Sequence, residues 1–176
     1  LVSGYKADKE WINEADELRG RFTHVPFSED NGFVNPRYFL NVLSEKTKSD
    51  VYLSTEVGQN QIWCANNFTF KSPLLTSGGF GTMGYGLPAA IGASAAVEGQ
   101  KPVIAVMGDG SFQMDLPEMG TMVQWDIPVK MVLFQNRRLG MVHEHQYLLY
   151  KSNYQAVNID CKPDFEMLAK AYGIES

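Results

Sequence analysis

Two short stretches of this sequence, residues 103–107 (VIAVM) and 131–134 (MVLF), are apolar at every position. A strand that is apolar all round must be covered on both faces, as strands are in parallel sheets flanked by helices. Each stretch is much shorter than the roughly 18 consecutive apolar residues of a membrane-spanning helix. We therefore expect an α/β fold whose mainly parallel sheet is covered by helices on both faces.

The rest of the chain alternates between strand-like and helix-like patterns. Asn35 is a candidate N-cap, with Pro36 at the first helical position and an apolar face that includes Leu40 and Leu43. Residues 115–118 (DLPE) are typical of a capped helix start, and Gly173 is typical of a helix end. Strands are predicted at 51–55, 74–75, 103–107 and 129–134, and helices from 35, at 85–97, from 115, at 139–150 and at 163–172.

The first 34 residues are polar and weakly patterned. We interpret residues 1–34 as a linker that packs on the domain edge, with a short amphipathic helix over 8–19 and a loop at 28–32 (SEDNG). Residues 35–176 are predicted to form one domain, which the total length of 176 residues also favours. Because the chain begins with Leu1 and ends shortly after a predicted helix, we expect a C-terminally truncated piece of a longer protein.

Composition argues against several classes of protein. The formal net charge of −5 argues against a nucleic-acid-binding surface, which is normally basic. A phosphate ligand would therefore be held by backbone amides, helix ends or a metal ion. Cys64 and Cys161 do not indicate a disulfide framework in a chain of this length, and the first 20 residues contain no secretory signal. We expect a reduced, cytoplasmic protein that binds neither nucleic acid nor membrane.

The glycine-rich stretch 77–86 (SGGFGTMGYG) lies between a predicted short strand and a predicted helix. Gly79, Gly81 and Gly84 match the spacing of a dinucleotide-binding fingerprint. The same glycines would also suit a tight turn with positive φ angles and a close approach of helix to strand. Met83, within this stretch, is either a core residue or part of a site. The residues alone leave these alternatives open.

Polar residues follow two consecutive buried strands. Asp109 comes just after the first and Asn136 just after the second, with one helix between them. A right-handed crossover makes such strands parallel, so both side chains emerge at the same edge of the sheet. Their carboxylate and amide oxygens suit Mg²⁺, which fills its other positions with phosphate and water. The N–H groups of Gly110 and Ser111 would face an anion there. A simple Asp-Gly turn and a helix cap at Asn136 are the structural alternatives.

These motifs resemble a known family. Residues 108–111 (GDGS), followed by Asn136, are similar to the thiamine diphosphate motif of the 2-oxoacid decarboxylase and acetolactate synthase superfamily. Residues 76–92 (TSGGFGTMGYGLPAAIG) closely resemble the acetolactate (acetohydroxyacid) synthase large subunit. The resemblance covers roughly residues 35–173 and is strongest from 72 to 142. Further matching pieces within it are 58–59, 128–130, 139–142, 163–165 and 169–173.

The resemblance implies a magnesium and thiamine diphosphate site. Mg²⁺ would be bound by the side chains of Asp109 and Asn136 and by the backbone carbonyl of Arg138. Met83 would be the apolar wedge that keeps the cofactor bent. The diphosphate and thiazolium would be surrounded by residues from several loops, namely Gly58, Gln59, Gly110, Ser111, Leu139, Gly140 and Met141.

The resemblance also implies an activity and partners. The family is a group of transferases that decarboxylate pyruvate and add the two-carbon unit to a second 2-oxoacid, which yields acetolactate for branched-chain amino-acid biosynthesis. A glutamate on another domain of a partner subunit contacts the pyrimidine ring, and no glutamate here, Glu56 included, matches that motif. We therefore expect no catalytic residue within this chain, no turnover by it alone, and a homodimer or higher oligomer in the complete enzyme. FAD would belong to a middle domain not seen here, and a small regulatory subunit is a further partner of this family.

Two residues depart from the family pattern. Asn60 stands where the family usually has histidine, which would weaken a contact to the diphosphate. His145 stands where biosynthetic members usually have tryptophan, in the lining of the substrate channel, so we expect a shift from 2-oxobutyrate towards pyruvate as second substrate. Another thiamine diphosphate enzyme (glyoxylate carboligase, pyruvate oxidase or a 2-oxoacid decarboxylase) and a non-catalytic cofactor-binding or dimerisation module are the alternatives.

Overall fold

A parallel sheet forms the centre of residues 34–176. This computed structural model describes residues 8–21 and 32–176, and within them the sheet has four strands, all parallel, in the order β2-β1-β3-β4. The strands are β1 (Tyr52–Thr55), β2 (Leu75–Thr76), β3 (Val103–Gly108) and β4 (Lys130–Phe134). The described helices are α1 (Lys9–Arg21), α2 (Pro36–Lys46), α3 (Gln59–Asn67), α4 (Gly86–Val97), α5 (Asp109–Phe112), α6 (Glu118–Gln124), α7 (Gly140–Leu149) and α8 (Phe165–Ala171). The predicted α/β fold with a mainly parallel sheet is confirmed.

Helices cover both faces of this sheet, and the alternating side chains of β3 show why its sequence is apolar throughout. Because successive strand residues point to opposite faces, Met107 and its alternate neighbours pack against residues of α4, α6 and α8. Ile104 and Val106 pack on the other face, against residues of α2 and α3. Each fully buried aliphatic side chain of this kind contributes roughly 1.5–3 kcal/mol to folding.

The strand order determines where a ligand can bind. From β1 the chain passes to β2 on one side and then to β3 on the other, so the order reverses between β1 and β3. Thr55 of β1 pairs with Val106 of β3, and Gly108 of β3 pairs with Phe134 of β4. The loops that follow β1, β3 and β4 therefore meet at one edge, where open α/β sheets form their ligand crevice.

Helix α2 begins where the sequence predicts. The side chain of Asn35 accepts hydrogen bonds from the N–H groups of Arg37 at 3.0 Å and Tyr38 at 3.3 Å, and Pro36 occupies the first helical position. Such a cap satisfies backbone donors that a helix leaves without internal partners, which stabilises it by about 1 kcal/mol.

The capped helix start predicted at 115–118 is wrong. Helix α6 begins at Glu118 without a side-chain cap, and Asp115 is buried. Two helices were not predicted. Helix α3 opens with three polar residues (QNQ) that give little apolar periodicity, and α5 is a single turn directly after β3.

The chain divides between Phe33 and Val34 into two compact units. The first contains α1, where a helix was predicted over 8–19. Except for Gly32, the loop predicted at 28–32 lies outside the described residues. Cys64 is a buried free thiol and Cys161 an exposed one. No helix in the described part of the chain has the length and apolar character needed to span a membrane.

Candidate functional site

A cleft of about 90 Å³ opens where the loops after β1, β3 and β4 meet. Ten of the sequence-predicted cofactor residues line it, namely Gly58, Gln59, Met83, Gly110, Ser111, Asn136, Arg138, Leu139, Gly140 and Met141. The remaining lining residues are Val57, Asn60, Trp63, Gly108, Phe134 and Val142. The structure thus brings together residues that are as much as 85 positions apart, from position 57 to position 142.

Asp109 lies beside this cleft as a buried carboxylate with one unused oxygen. The side chain is 2% exposed, Oδ2 accepts the N–H of Arg137 at 2.6 Å, and Oδ1 has no hydrogen-bond partner. Burial raises the pKa of Asp109, and hydrogen bonds from the N–H groups of Arg137 and Gly110 oppose that shift. A buried carboxylate oxygen without a donor is rare in folded proteins and is a position for a cation or a polar ligand.

The turn after β4 presents Asn136 and Arg138 at the cleft. Arg137, between them, has a φ of 57°, in the left-handed region. Oδ1 of Asn136 accepts the N–H of Arg138 at 3.0 Å, an Asx turn that orients the amide and leaves a second lone pair on Oδ1. The guanidinium of Arg138 lies 3.3 Å from Nε2 of His143, so its charge is directed along α7. Because α7 begins only at Gly140, Asn136 is not the helix cap considered above.

Within the described residues, no group of three or more His, Cys, Asp or Glu side chains could hold a metal ion. A metal at this edge would therefore depend on one carboxylate, that of Asp109, together with amide and carbonyl oxygens. This is the donor set that the sequence predicts, and oxygen ligands of this kind suit Mg²⁺.

At two glycines of the cleft an added Cβ would come so close to the ends of neighbouring side chains that those ends would have to move. A Cβ on Gly140 would collide with Oε1 of Gln59 and lie 2.9 Å from Nδ2 of Asn136. A Cβ on Gly110 would lie 2.6 Å from a methyl carbon of Leu139. Because Gly110 and Gly140 lack side chains, the start of α7 packs closely against α5 and α3. At these two glycines the backbone, not a side chain, faces the cleft.

Met83 reaches the cleft from the glycine-rich turn. Gly81 and Gly84 on either side of it have φ angles of 66° and 82°, as a tight turn requires. Met83 is half-buried and precedes α4, so it is a cleft residue rather than a core residue of the helix.

Asn60 has its amide hydrogens committed within the protein. Nδ2 donates to Oγ1 of Thr55 at 3.0 Å and to the backbone carbonyl of Glu56 at 2.7 Å, and it lies 3.3 Å from the carbonyl of Val106. With three acceptor oxygens around it, the nitrogen cannot be exchanged for the oxygen, so the orientation of the amide is determined. The side chain of Asn60 therefore ties the ends of β1 and β3 together and has no N–H left for a phosphate.

Four aromatic or aliphatic cleft residues, namely Val57, Trp63, Phe134 and Val142, were not predicted from the sequence. Trp63 and Phe134 meet edge to face with ring centroids 5.8 Å apart, and Val57 lies beside them in the cleft lining. Trp63 is one turn after Gln59 in α3, so recognising that helix would have placed both on one side. Predicting Phe134 as a strand residue did not reveal which face it occupies.

His145 does not line this cleft. It is exposed on α7, and its ring centroid is 6.2 Å from that of Tyr150. The cleft is instead lined by Met141 and Val142 at the start of the same helix. The predicted role of His145 in a substrate channel is therefore not a property of the cleft as formed by this chain, and it stays a prediction.

Comparison with known proteins agrees with this geometry. Residues 56–176 match the family model described as "Thiamine pyrophosphate enzyme, C-terminal TPP binding domain". The probable acetolactate synthase large subunit of Methanococcus aeolicus is 47% identical over 175 residues, which are 95% of this chain and 29% of that protein. The acetolactate synthase isozyme 2 large subunit of Escherichia coli (strain K12) is 43% identical over 137 residues, 77% of this chain and 25% of that protein.

A solved structure shows the same fold. The benzoylformate decarboxylase from Polynucleobacter necessarius superposes with a TM-score of 0.73 at 29% identity, covering 84% of this chain and 29% of that one. The chain thus spans less than a third of the length of each of these proteins. The family match includes the glycine-rich turn, which overturns its interpretation as part of a dinucleotide-binding unit. The chain belongs to the thiamine pyrophosphate enzyme family, in which it corresponds to the C-terminal TPP-binding domain.

Proposed function

We propose that this chain is the diphosphate-binding domain of an acetolactate synthase large subunit. The observation that carries the proposal is the unpartnered, buried Oδ1 of Asp109 beside the Asn136 turn, at the carboxyl ends of two adjacent parallel strands. The curated relatives named acetolactate synthase, at 43% and 47% identity, support this enzyme over other members of the family. The reaction is decarboxylation of pyruvate and condensation with a second 2-oxoacid, in branched-chain amino-acid biosynthesis.

The residues present fit a magnesium diphosphate group. Asp109 offers one anionic oxygen without a partner, and the Asn136 amide oxygen and the Arg138 carbonyl supply neutral oxygens from the neighbouring turn. Mg²⁺ commonly uses a few protein oxygens and completes its coordination with phosphate and water. The fixed negative charge of Asp109 would then be compensated by the metal rather than by a basic side chain, in keeping with a net charge of −5.

The loops around the metal position would hold the remainder of the cofactor. Gly58, Gln59, Gly110 and Ser111 and the 139–141 segment form the walls of the cleft, and Met83 enters it as an apolar side chain. When bound, thiamine diphosphate supplies the carbanion stabilisation that decarboxylation of a 2-oxoacid needs. The chain's own residues bind and orient the cofactor, exclude water with Trp63, Phe134 and Val142, and transfer no proton.

The remaining parts of the enzyme lie outside this chain in our proposal. A glutamate on a partner subunit would contact the pyrimidine ring, so the active unit would be a homodimer or larger oligomer. FAD would be held by a middle domain, and a small regulatory subunit would be a further partner. We place the enzyme in the cytoplasm, and we keep residues 1–34 as a linker and edge segment of the domain formed by 35–176.

One observation favours a second candidate. The likeness to a benzoylformate decarboxylase, with a TM-score of 0.73, supports a 2-oxoacid decarboxylase that releases an aldehyde instead of joining two oxoacids. The two activities differ in product. The full-length protein with pyruvate, thiamine diphosphate and Mg²⁺ should accumulate acetolactate, and release of acetaldehyde without acetolactate would favour the decarboxylase.

Binding is tested separately from turnover. In isothermal titration calorimetry, thiamine diphosphate should release heat in Mg²⁺ and far less in EDTA. Equal heats under both conditions would contradict a metal-bridged diphosphate site. The absence of any binding by the full-length protein would overturn the proposed function altogether, including the non-catalytic binding module.

A further inference from the structure

Two acidic side chains are buried side by side beneath the glycine-rich turn, and neither belongs to the cofactor residues described above. Glu56, directly after β1, is fully buried, and Asp115, between α5 and α6, is 3% exposed. They accept hydrogen bonds from two consecutive N–H groups at the start of α4, Glu56 from Gly86 and Asp115 from Leu87, which places the two carboxyl groups next to each other. A buried acid pair is costly to maintain, so its contacts indicate what it does.

Glu56 binds the glycine-rich turn directly. Its Oε2 accepts the N–H of Gly84 at 2.9 Å, and its Oε1 accepts the N–H of Gly86. The hydroxyl of Ser54 donates to the carbonyl of Gly86 at 2.8 Å, and the N–H of Glu56 donates to the carbonyl of Val106 at 3.0 Å. The turn is therefore attached to the ends of both central strands.

The attachment point lies next to Met83. Gly84 follows Met83 directly and has a φ of 82°. Its N–H belongs to the peptide bond that joins the two residues, so the position of this N–H determines the position of the Met83 backbone. A Cβ on Gly86 would lie 2.8 Å from the backbone nitrogen of Glu56, which shows how closely the turn approaches the strand end. If the Glu56 carboxylate moved, the turn would move with it, and Met83 would leave its place in the cleft.

Asp115 completes the pair from the other side. Its Oδ2 lies 3.4 Å from the donating N–H of Leu87, in the first turn of α4, and its Oδ1 has no partner. Were both acids ionised, two like charges would be buried in contact and one oxygen would lack a donor. A proton on the Asp115 carboxyl removes the like charge and supplies a donor towards Glu56.

The electrostatics agree with this arrangement. Burial, and after it the hydrogen bond and charge of Glu56, raises the pKa of Asp115 to about 7. The N–H of Leu87 and the backbone of Asp115 itself oppose the shift. Within the described residues, Glu56 is the one ionisable side chain that contributes to it.

We propose that Glu56 and Asp115 are positioning residues that share one proton and hold the glycine-rich turn so that Met83 is presented to the cofactor. Neither touches the cofactor, since Glu56 acts through the N–H groups of Gly84 and Gly86. The identity of that cofactor rests on the proposed function, but the pair and its effect on the turn do not. While Asp115 is protonated, below neutral pH, it donates a hydrogen bond to Glu56 and the turn is held. Once Asp115 ionises, above neutral pH, that donor is lost and a buried negative charge lies beside Glu56, which loosens the turn.

Hydrogen exchange of the peptide covering residues 77–87 in the full-length protein tests the pair without any cofactor. After correction for the intrinsic exchange rate, the wild-type turn should exchange at least threefold faster at pH 8 than at pH 6. Asp115→Asn supplies a permanent donor to Glu56, so it should be equally protected at both values. Glu56→Gln should lose protection at both, because an amide cannot accept two N–H bonds with both of its ends. The surface variants Asp126→Asn and Glu45→Gln are matched controls and should behave as wild type.

The Asp115→Asn experiment shows whether the two carboxyl groups share a proton, even if Glu56→Gln does not fold. A wild-type pH difference that persists in Asp115→Asn would overturn the proposal, and so would unchanged protection in a folded Glu56→Gln. Thiamine diphosphate affinity in Mg²⁺ tests the second half of the proposal. Glu56→Gln should bind about tenfold more weakly at pH 6, whereas Asp115→Asn should match wild type at pH 6 and bind more tightly than wild type at pH 8.

The proposed function and the positioning role of the acid pair are contradicted by different results. If the wild-type protein does not bind thiamine diphosphate, the proposed function is wrong. Hydrogen exchange then still tests whether the acid pair holds the glycine-rich turn. If wild type binds and a folded Glu56→Gln binds equally well, the positioning role is wrong while the proposed function stands.

Discussion

The backbone N–H of Arg137 donates to one carboxylate oxygen of Asp109 at 2.6 Å, and the other oxygen of Asp109 has no partner. One half of this carboxylate thus joins the turn after β4 to the start of α5, and the other half is left for a ligand. The arrangement separates the structural contribution of Asp109 from its proposed metal-binding contribution.

Asp109→Asn should abolish metal-dependent cofactor binding while preserving the fold. The amide oxygen of asparagine can still accept the Arg137 N–H, so the free energy of unfolding should change by less than about 1 kcal/mol. The charge that would face Mg²⁺ is lost, so the affinity for thiamine diphosphate in Mg²⁺ should fall at least to its value in EDTA. Calorimetry of Asp109→Asn and of the exposed control Asp126→Asn measures this difference. A variant that keeps wild-type heat in Mg²⁺ would exclude Asp109 as a metal ligand.

Gly140→Ala should weaken cofactor binding, whereas Gly92→Ala should not. The new methyl group at position 140 would collide with Oε1 of Gln59 and crowd Nδ2 of Asn136, so the ends of these two cleft-lining side chains must move. Gly92, within α4, has no neighbouring atom within 4 Å of an added Cβ. We expect about a tenfold loss of affinity at 140, and at 92 a gain in stability of about 0.5–1 kcal/mol from helix propensity. Equal affinities in the two variants would show that the 139–141 segment does not contact the cofactor.

Asn60→Asp should destabilise the domain more than Asn66→Asp. The substitution at 60 replaces an N–H donor by a carboxylate oxygen that faces the hydroxyl of Thr55 and the carbonyls of Glu56 and Val106. Losing these hydrogen bonds in a buried place costs about 2–3 kcal/mol, whereas Asn66 is exposed on the same helix. Urea unfolding followed by circular dichroism compares the two. If both variants unfold at the same urea concentration, the amide network around Asn60 does not stabilise the strand ends.

The stability of the protein should decrease as pH rises from 4 to 7 because of Asp115. Its folded pKa of about 7 exceeds the ordinary aspartate pKa of 3.8, so the folded state binds more protons than the unfolded state in this window. The stabilising contribution is complete below pH 4 and is lost as pH rises through 7. Asp115→Asn should remove this dependence and be more stable than wild type by about 1–2 kcal/mol at pH 8. Urea unfolding at pH 5, 6, 7 and 8 provides the measurement, and parallel curves for wild type and variant would show that Asp115 does not titrate there.

His145→Trp tests the predicted substrate-channel role in the full-length enzyme. If the remaining domains cover this part of α7, tryptophan should favour 2-oxobutyrate over pyruvate as second substrate by about tenfold, since a larger apolar face discriminates one methylene by roughly 1–3 kcal/mol. Competition between the two oxoacids gives the product ratio, with the exposed Tyr147→Trp as the control. An unchanged ratio would mean that His145 does not face the channel, as its exposed position outside the cleft of this chain suggests.

Much of the fold could be predicted because its cause is local. Residues 103–107 are apolar at every position since β3 is covered on both faces, and that pattern identifies a buried parallel strand without knowledge of its neighbours. The cap at Asn35 likewise depends on atoms only two and three residues away. The position of Asp109 and Asn136 at one sheet edge follows from the same pattern, because one helix joins two parallel strands.

The fold class, the sheet edge at which the predicted cofactor residues meet, and most of those residues could therefore be predicted from the sequence. The contacts of the polar side chains could not: Asp115 lies beside Glu56 instead of capping a helix, the amide of Asn60 is used within the protein, and His145 lies outside the cleft. These contacts join residues that are far apart along the chain. Periodicity and capping reflect interactions within a few residues, whereas the bond from Gly84 to Glu56 joins groups 28 positions apart and that from Arg137 to Asp109 also spans 28. Such contacts exist only after the sheet has placed its strand ends side by side.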